Sequence, residues 1–200
     1  MPDTAPPSDT GPVTSDSPFT AVVLAGGAAV RLDGADKASV ELDGRTLLTW
    51  ALDAVVDAAE VVVVGDPVPT HRPVTFTRED PRHGGPAAAL LTGRDALLDP
   101  RGTLAVVACD MPFLTPRTFQ RLRAAAGGRD GAVLAGPDGR RQLAMVLDVT
   151  RLDAVRPGLE EQHNLALHRL LAPLDLAEVA AEGLEHRDVD TWADVRDLTE

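Results

Sequence analysis

Three observations predict a three-layer α/β fold with a mostly parallel sheet and an antiparallel hairpin insertion. Short Val-rich runs, Val61-Val62-Val63-Val64 the plainest, are continuous rather than alternating, which suits strands covered on both faces. Amphipathic stretches of helical period separate these runs. A glycine-rich turn follows the first run, and an open parallel sheet places its ligand crevice at the strands' carboxyl ends.

Residues 1 to 17 are mostly Pro, Ser, Thr, Asp and Gly. They cannot bury enough apolar surface to offset the entropy of ordering, so they read as a disordered tail ahead of one domain over 18–200. From Phe19 the order is regular. A strand at Ala21 to Ala25 leads through the glycine turn to a helix from Thr46 to Ala59, with Leu48, Leu52, Val55 and Val56 on one face. A strand at Val61 to Val64, an extended piece at Val74 to Thr77, a helix from Pro86 to Leu98 and a strand at Leu104 to Ala108 follow. Thr115-Pro116 places a capping hydroxyl before a proline at the first helical position, which opens a helix through Phe119 and Leu122. Ala132 to Ala135 and Leu143 to Leu147, joined by Gly136-Pro137-Asp138-Gly139, form the hairpin. Helices at Gln162 to Leu171 and Thr191 to Leu198 close the chain.

Composition narrows the function. The chain has 200 residues, 44% of them hydrophobic and 25% charged, which is ordinary globular usage and enough for a real core. A net charge of −12 repels nucleic acid, and 3% aromatics with no Tyr leave little for base-stacking platforms. Any phosphate site must therefore rely on local donors and a divalent cation. One cysteine, Cys109, rules out an intramolecular disulfide and a cysteine-cluster metal site, and it reads as core packing. The five histidines show no metal-ligand spacing. No apolar run reaches the 18 or so residues of a membrane span, and the amino terminus does not read as a signal peptide, so a cytoplasmic protein with no membrane partner is expected. Oligomeric state is not legible.

The chemistry-bearing stretch is Leu24-Ala25-Gly26-Gly27-Ala28-Ala29-Val30-Arg31-Leu32-Asp33-Gly34-Ala35-Asp36-Lys37. Glycines let backbone N–H groups approach phosphate oxygens, while Arg31 and Lys37 supply charge. The stretch is neither a Walker loop nor a dinucleotide-binding fingerprint. Of 19 basic residues, 18 are Arg and only Lys37 is Lys. In a chain that otherwise uses Arg, this compact point charge points to phosphate contact. Downstream, Asp110 follows the strand at 104–108, where a carboxylate faces the crevice and can hold magnesium against phosphate.

These residues resemble the signature L-A-G-G-x-x-x-R-M-G-G-x-D-K of the molybdenum cofactor guanylyltransferases, with Leu32 and Asp33 standing where that signature has Met and Gly. Gly85-Pro86 resembles the start of the family's G-P-L-A-G, Cys109-Asp110-Met111-Pro112-Phe113-Leu114 its C-D-x-P-x-L, and Asp188-Val189-Asp190-Thr191 its late N/D-V-N/D-T. Arg140-Arg141-Gln142-Leu143 lacks the proline of the family's Q-P-L. The resemblance implies a Rossmann-like nucleotidyltransferase fold and transfer of GMP from GTP to the phosphate of a molybdopterin-type cofactor. It implies nucleotide contacts at Leu24, Ala25, Gly26, Gly27, Lys37, Asp80, Gly85 and Asp110, catalytic roles for Asp110, Lys37 and Arg31, and a Mg2+ ion on Asp110 and Asp190. Asp190, Thr191 and Asp194 also read as a helix start. Transfer to another acceptor, as in cytidylyl or sugar 1-phosphate enzymes, and a non-catalytic GTP-binding relative stay open.

Overall fold

The computed structural model describes residues 17–26, 36–80, 82 and 84–199. Residues 1–16, and with them nearly all of the expected tail, lie outside the described residues, as do Gly27 and Arg31. Strands β1 (Phe19–Leu24), β4 (Glu60–Val64) and β6 (Thr103–Ala108) are the Val-rich runs, and β5 (Thr75–Thr77) is the extended piece. With β7 (Gly131–Ala135), β8 (Arg141–Asp148) and β9 (Leu176–Ala180) they make a seven-stranded sheet of order β5-β4-β1-β6-β8-β7-β9. β5, β4, β1 and β6 are mutually parallel, Val22 pairing with Val62 on one side and Val106 on the other. β8 is antiparallel to both β6 and β7, and β9 is parallel to β7.

Alternate residues of these strands point to opposite faces, and each face is covered by helices, which makes three layers. Ala21, Val23, Val63, Ala105 and Val107 pack with α1 (Leu47–Ala54) and α3 (Pro116–Ala125). Val22, Leu24, Val64, Leu104 and Val106 pack with α2 (Pro86–Asp95), α4 (Val149–Ala154) and α6 (Leu167–Leu171). Gly93 lets α2 lie directly on the sheet: a Cβ there would sit 2.5 Å from a methyl of Val22. Because α2 follows β5 and precedes β6, it runs back from the carboxyl edge, so its first residues stand at that edge.

Three expected helices are shorter than their patterns. α1 ends at Ala54, and Val56 is half exposed, because Arg72 donates to the carbonyls of Val55, Val56 and Ala58 and closes the helix with charge-assisted bonds. α2 ends at Asp95, and the Leu98 amide donates to the carboxylate of Glu60. The single helix expected at 162–171 is two, α5 (Leu159–Gln162) and α6, separated where Asn164 takes φ 56° and donates its amide to the Gly84 carbonyl.

The hairpin of β2 (Glu41–Leu42) and β3 (Arg45–Thr46), helix α4 and strand β9 are absent from the sequence expectations. Asp43-Gly44, with φ 53° and 71°, turns β2 into β3, and an Asp-Gly pair is a strong hairpin signal. β9 is covered on one face only and has no Val run. A small satellite core joins Val40, Leu42 and Leu47 to Val189, with Val195 and Leu198 of α7 (Trp192–Thr199) beside it.

Candidate active site

At the carboxyl edge β1 ends at buried Leu24, followed by buried Ala25 and exposed Gly26. Backbone bonds hold this segment between its neighbours: Ala25 N donates to Val64 O at 2.9 Å, and Cys109 N to Leu24 O at 3.0 Å. The start of the glycine loop and the turn carrying Asp110 are thus cross-linked. After the loop, a 3-10 turn over Lys37–Ser39 is capped by Asp36, whose carboxylate accepts from Ala38 N at 3.2 Å and from the Ser39 hydroxyl at 3.1 Å. That turn aims Lys37 inward. Asp36 belongs to the motif, and its capping role, which the motif does not name, has its signal in an aspartate two residues before a turn amide.

The Lys37 ammonium stands between two carboxylates. It donates to Asp110 Oδ2 at 2.6 Å and to Asp190 Oδ1 at 2.7 Å, bringing together residues 73 and 153 positions away. Lys37 and Asp110 are mostly buried, their side chains 16% and 23% exposed; Asp190 is more open at 46%. Burial pushes Asp110 up from the ordinary carboxylate range against the pull of Lys37, and neighbouring Asp190 and Asp188 push the same way. Burial draws Lys37 down, but Asp110 and Asp190 outweigh it and leave the ammonium raised. Burial raises the Cys109 thiol, in keeping with a packing role.

The contact of Asp190 with Lys37 and the capping of α7 coexist. Thr191 caps α7, its hydroxyl accepting from Asp194 N at 3.2 Å, while the Asp194 carboxylate accepts from Thr191 N at 2.7 Å and Asp190 N at 3.0 Å. With the capping done by its neighbours, the Asp190 side chain is left for Lys37. Val189 is fully buried in the satellite core and donates its N–H to Asp110 O at 2.8 Å, fixing the chain from which Asp190 projects.

Of the remaining predicted residues, Gly27 and Arg31 lie outside the described residues, and Asp80 and Gly85 lie elsewhere on the same edge. Gly85 precedes α2 with φ 87° and ψ −179°, a conformation that strongly favours glycine. Asp80 is exposed, and its backbone is tied to Thr92 of α2: its N–H donates to the Thr92 hydroxyl at 3.0 Å, which donates to its carbonyl at 3.3 Å. Among the described residues no hydrogen bond or ion pair joins Asp80 to the Lys37 cluster. Asp80 and Gly85 therefore frame one flank and the Lys37–Asp110–Asp190 triad the centre.

The donor set fits a hard divalent ion. Two carboxylates converge on one cation, and magnesium is commonly held by one or two carboxylates together with phosphate oxygens and water. Among the described residues no group of three or more His, Cys, Asp or Glu is placed to hold a metal ion without ligands from elsewhere.

Comparison with known proteins places the chain in a family. The family model for the MobA-like NTP transferase domain matches residues 21–182. A molybdenum cofactor guanylyltransferase of Acidiphilium cryptum (strain JF-5) is 37% identical over 172 residues, 83% of this chain and 85% of that protein. One of Shewanella loihica is 31% identical over 132 residues, 64% of this chain, and the match spans 66% of the relative's length. Among solved structures, 2-C-methyl-D-erythritol 4-phosphate cytidylyltransferase of Thermus thermophilus superposes with a TM-score of 0.68 at 21% identity, covering 92% of this chain and 98% of that one. Rv0371c of Mycobacterium tuberculosis H37Rv, solved in complex with manganese, has a TM-score of 0.66 at 20% identity with the same coverage. The two structures share the fold.

Proposed function

The chain belongs to the MobA-like NTP transferase family of enzymes, and from that premise we propose that it transfers GMP from GTP to the phosphate of a molybdopterin-type cofactor, releasing pyrophosphate. The observation that carries this reading is the single lysine held between Asp110 and Asp190 at the mouth of a parallel sheet. In the proposed reaction an acceptor phosphate oxygen attacks the α-phosphorus of GTP, and the bond from that phosphorus to the β-phosphate oxygen breaks. A phosphate monoester, with a second pKa of ~6, is largely ionised at neutral pH, so no side chain need remove a proton.

What remains for the protein is positioning and charge. Lys37 and Arg31 hold the phosphates, with the amides after Leu24, Ala25, Gly26 and Gly27 completing the cradle. Asp110 and Asp190 are the residues to hold Mg2+, which when bound supplies positive charge against phosphate oxygens. Asp80 and Gly85 contact the nucleotide, Gly85 because a residue without a side chain leaves room for the base. Residues 18–200 form the catalytic domain, working in the cytoplasm without nucleic acid or membrane partners; among the described residues no helix is long and apolar enough to cross a membrane.

Pyrophosphate release measured with GTP, CTP, ATP and UTP, each against a molybdopterin-type acceptor and a sugar 1-phosphate, tests the reading. GTP with the molybdopterin-type acceptor should give the highest kcat/KM. A preference for CTP or for the sugar phosphate would replace it with transfer to another acceptor. GTP binding with no pyrophosphate from any pair would make the chain a binding protein.

A further inference from the structure

We propose that Glu185 is a positioning residue: it ties the segment that carries Asp190 to the helix that follows Asp110, so that both carboxylates meet Lys37 as one rigid pair. The inference rests on the reading of Asp110 and Asp190 as the centre of the site.

Glu185 is 6% exposed, in the turn between β9 and Asp190. A carboxylate is costly to bury unless its oxygens are satisfied. Here they are: the Thr118 hydroxyl donates to Oε1 at 2.5 Å, Arg121 Nη1 donates to both oxygens at 2.9 and 3.0 Å, and Glu182 N donates to Oε2 at 2.7 Å. Arg121 also donates to the carbonyl of Ala180, the last residue of β9. Thr118 belongs to the capping box of α3, its hydroxyl accepting from Thr115 N at 3.0 Å. The strut is therefore anchored in the first turns of the helix that begins just after the Asp110 turn.

The other end of the segment is fixed by Val189, through its N–H on Asp110 O and its side chain in the satellite core. Chain and contacts form a closed ring: Asp110, the start of α3, Glu185, Val189 and back to Asp110. Such a ring removes the hinge that a long return from β9 would otherwise have. A buried ion pair is a weak stabiliser compared with apolar packing, but its directional bonds specify one geometry. That geometry is what Lys37 needs, because hydrogen bonds at 2.6 and 2.7 Å do not survive a displacement of about 1 Å.

The test compares wild type, Glu185→Gln, Asp190→Ala and the double variant by steady-state pyrophosphate formation and by hydrogen exchange over residues 186–190. Glu185→Gln should lower kcat about tenfold with the nucleotide KM within about twofold, and should speed exchange at the Val189 amide about tenfold while amides of β1 stay protected. In the Asp190→Ala background it should cause no further loss of kcat. Equal losses in both backgrounds, or unchanged exchange at Val189, would overturn the proposal. Should wild type form no pyrophosphate with any nucleotide and acceptor, the functional reading alone fails, and the exchange comparison still decides the role of Glu185. If Glu185→Gln does not fold, Arg121→Met takes its place with the same pattern expected.

Discussion

The two halves of the sheet are built on different rules. In β5-β4-β1-β6 every strand runs the same way, helices cover both faces, and the carboxyl ends open together onto one edge. In β8-β7-β9 one strand is reversed, the register shifts between Val133 and Ala135, and the last strand has one covered face. The triad lies across the seam: Asp110 comes from the last strand of the regular half, Lys37 from the loop after its central strand, and Asp190 from the chain returning after the irregular half. One charge cluster couples them.

That division is open to test at both ends. Asp110→Ala and Lys37→Ala should each lower pyrophosphate formation by about 10² to 10³ while the far-ultraviolet circular dichroism stays native. Retained turnover in both variants would detach the cluster from the chemistry. Next in size is Gly131→Ala, where a Cβ would lie 2.3 Å from the Val146 carbonyl oxygen, backbone that cannot step aside. We expect a loss of about 3 kcal/mol in chemical denaturation. Gly93→Ala in the regular half meets methyl groups of Val22 and Val64 instead, and α2 can shift slightly, so a loss of about 1 to 2 kcal/mol is expected. The reverse order would show that the helix-covered half is the less forgiving one.

The Glu185 strut gives a smaller effect with a pH signature. Burial raises its carboxyl, but the Thr118 hydroxyl, the Glu182 amide and Arg121 outweigh that and hold it below the ordinary 4.5. The charged groups facing it are Arg121 and, through Arg121, the Glu182 carboxylate 3.4 Å from Nε. A lowered folded value means that this stability is fully present above pH 4.5 and is lost as the pH falls through the folded value. The melting temperature of wild type should exceed that of Glu185→Gln at pH 7, with the gap closing on acidification below 4.5. Smallest of all, Arg141→Ala on β8 removes a half-exposed pair with Glu178 of β9 and should change stability by less than about 0.5 kcal/mol.

How far the molecule could be read from sequence follows the same seam. Val61 to Val64 and Leu104 to Ala108 declare buried strands because every residue is apolar, and Thr115-Pro116 declares a helix start because a capping hydroxyl and a proline act locally. Helix ends were less legible. Arg72 closing α1 and Asn164 splitting α5 from α6 act through partners distant in sequence. β9 escaped because a strand with one covered face carries only weak alternation. Lys37, Asp110 and Asp190 were each visible as candidates, whereas Glu185 had no motif to mark it.

The sequence by itself determined the alternation of strands and helices, the three-layer class, the isolated lysine and the carboxylate after β6. These are properties of residues within a few positions of one another, where periodicity, propensity and capping act. Only the tertiary structure decided that Lys37 bridges partners 73 and 153 residues away, that Asp190 leaves helix capping to Thr191 and Asp194, and that Glu185 braces the return segment. Such contacts follow from strand order and from chain closure by buried hydrogen bonds, which leave no periodic trace in the residues that make them.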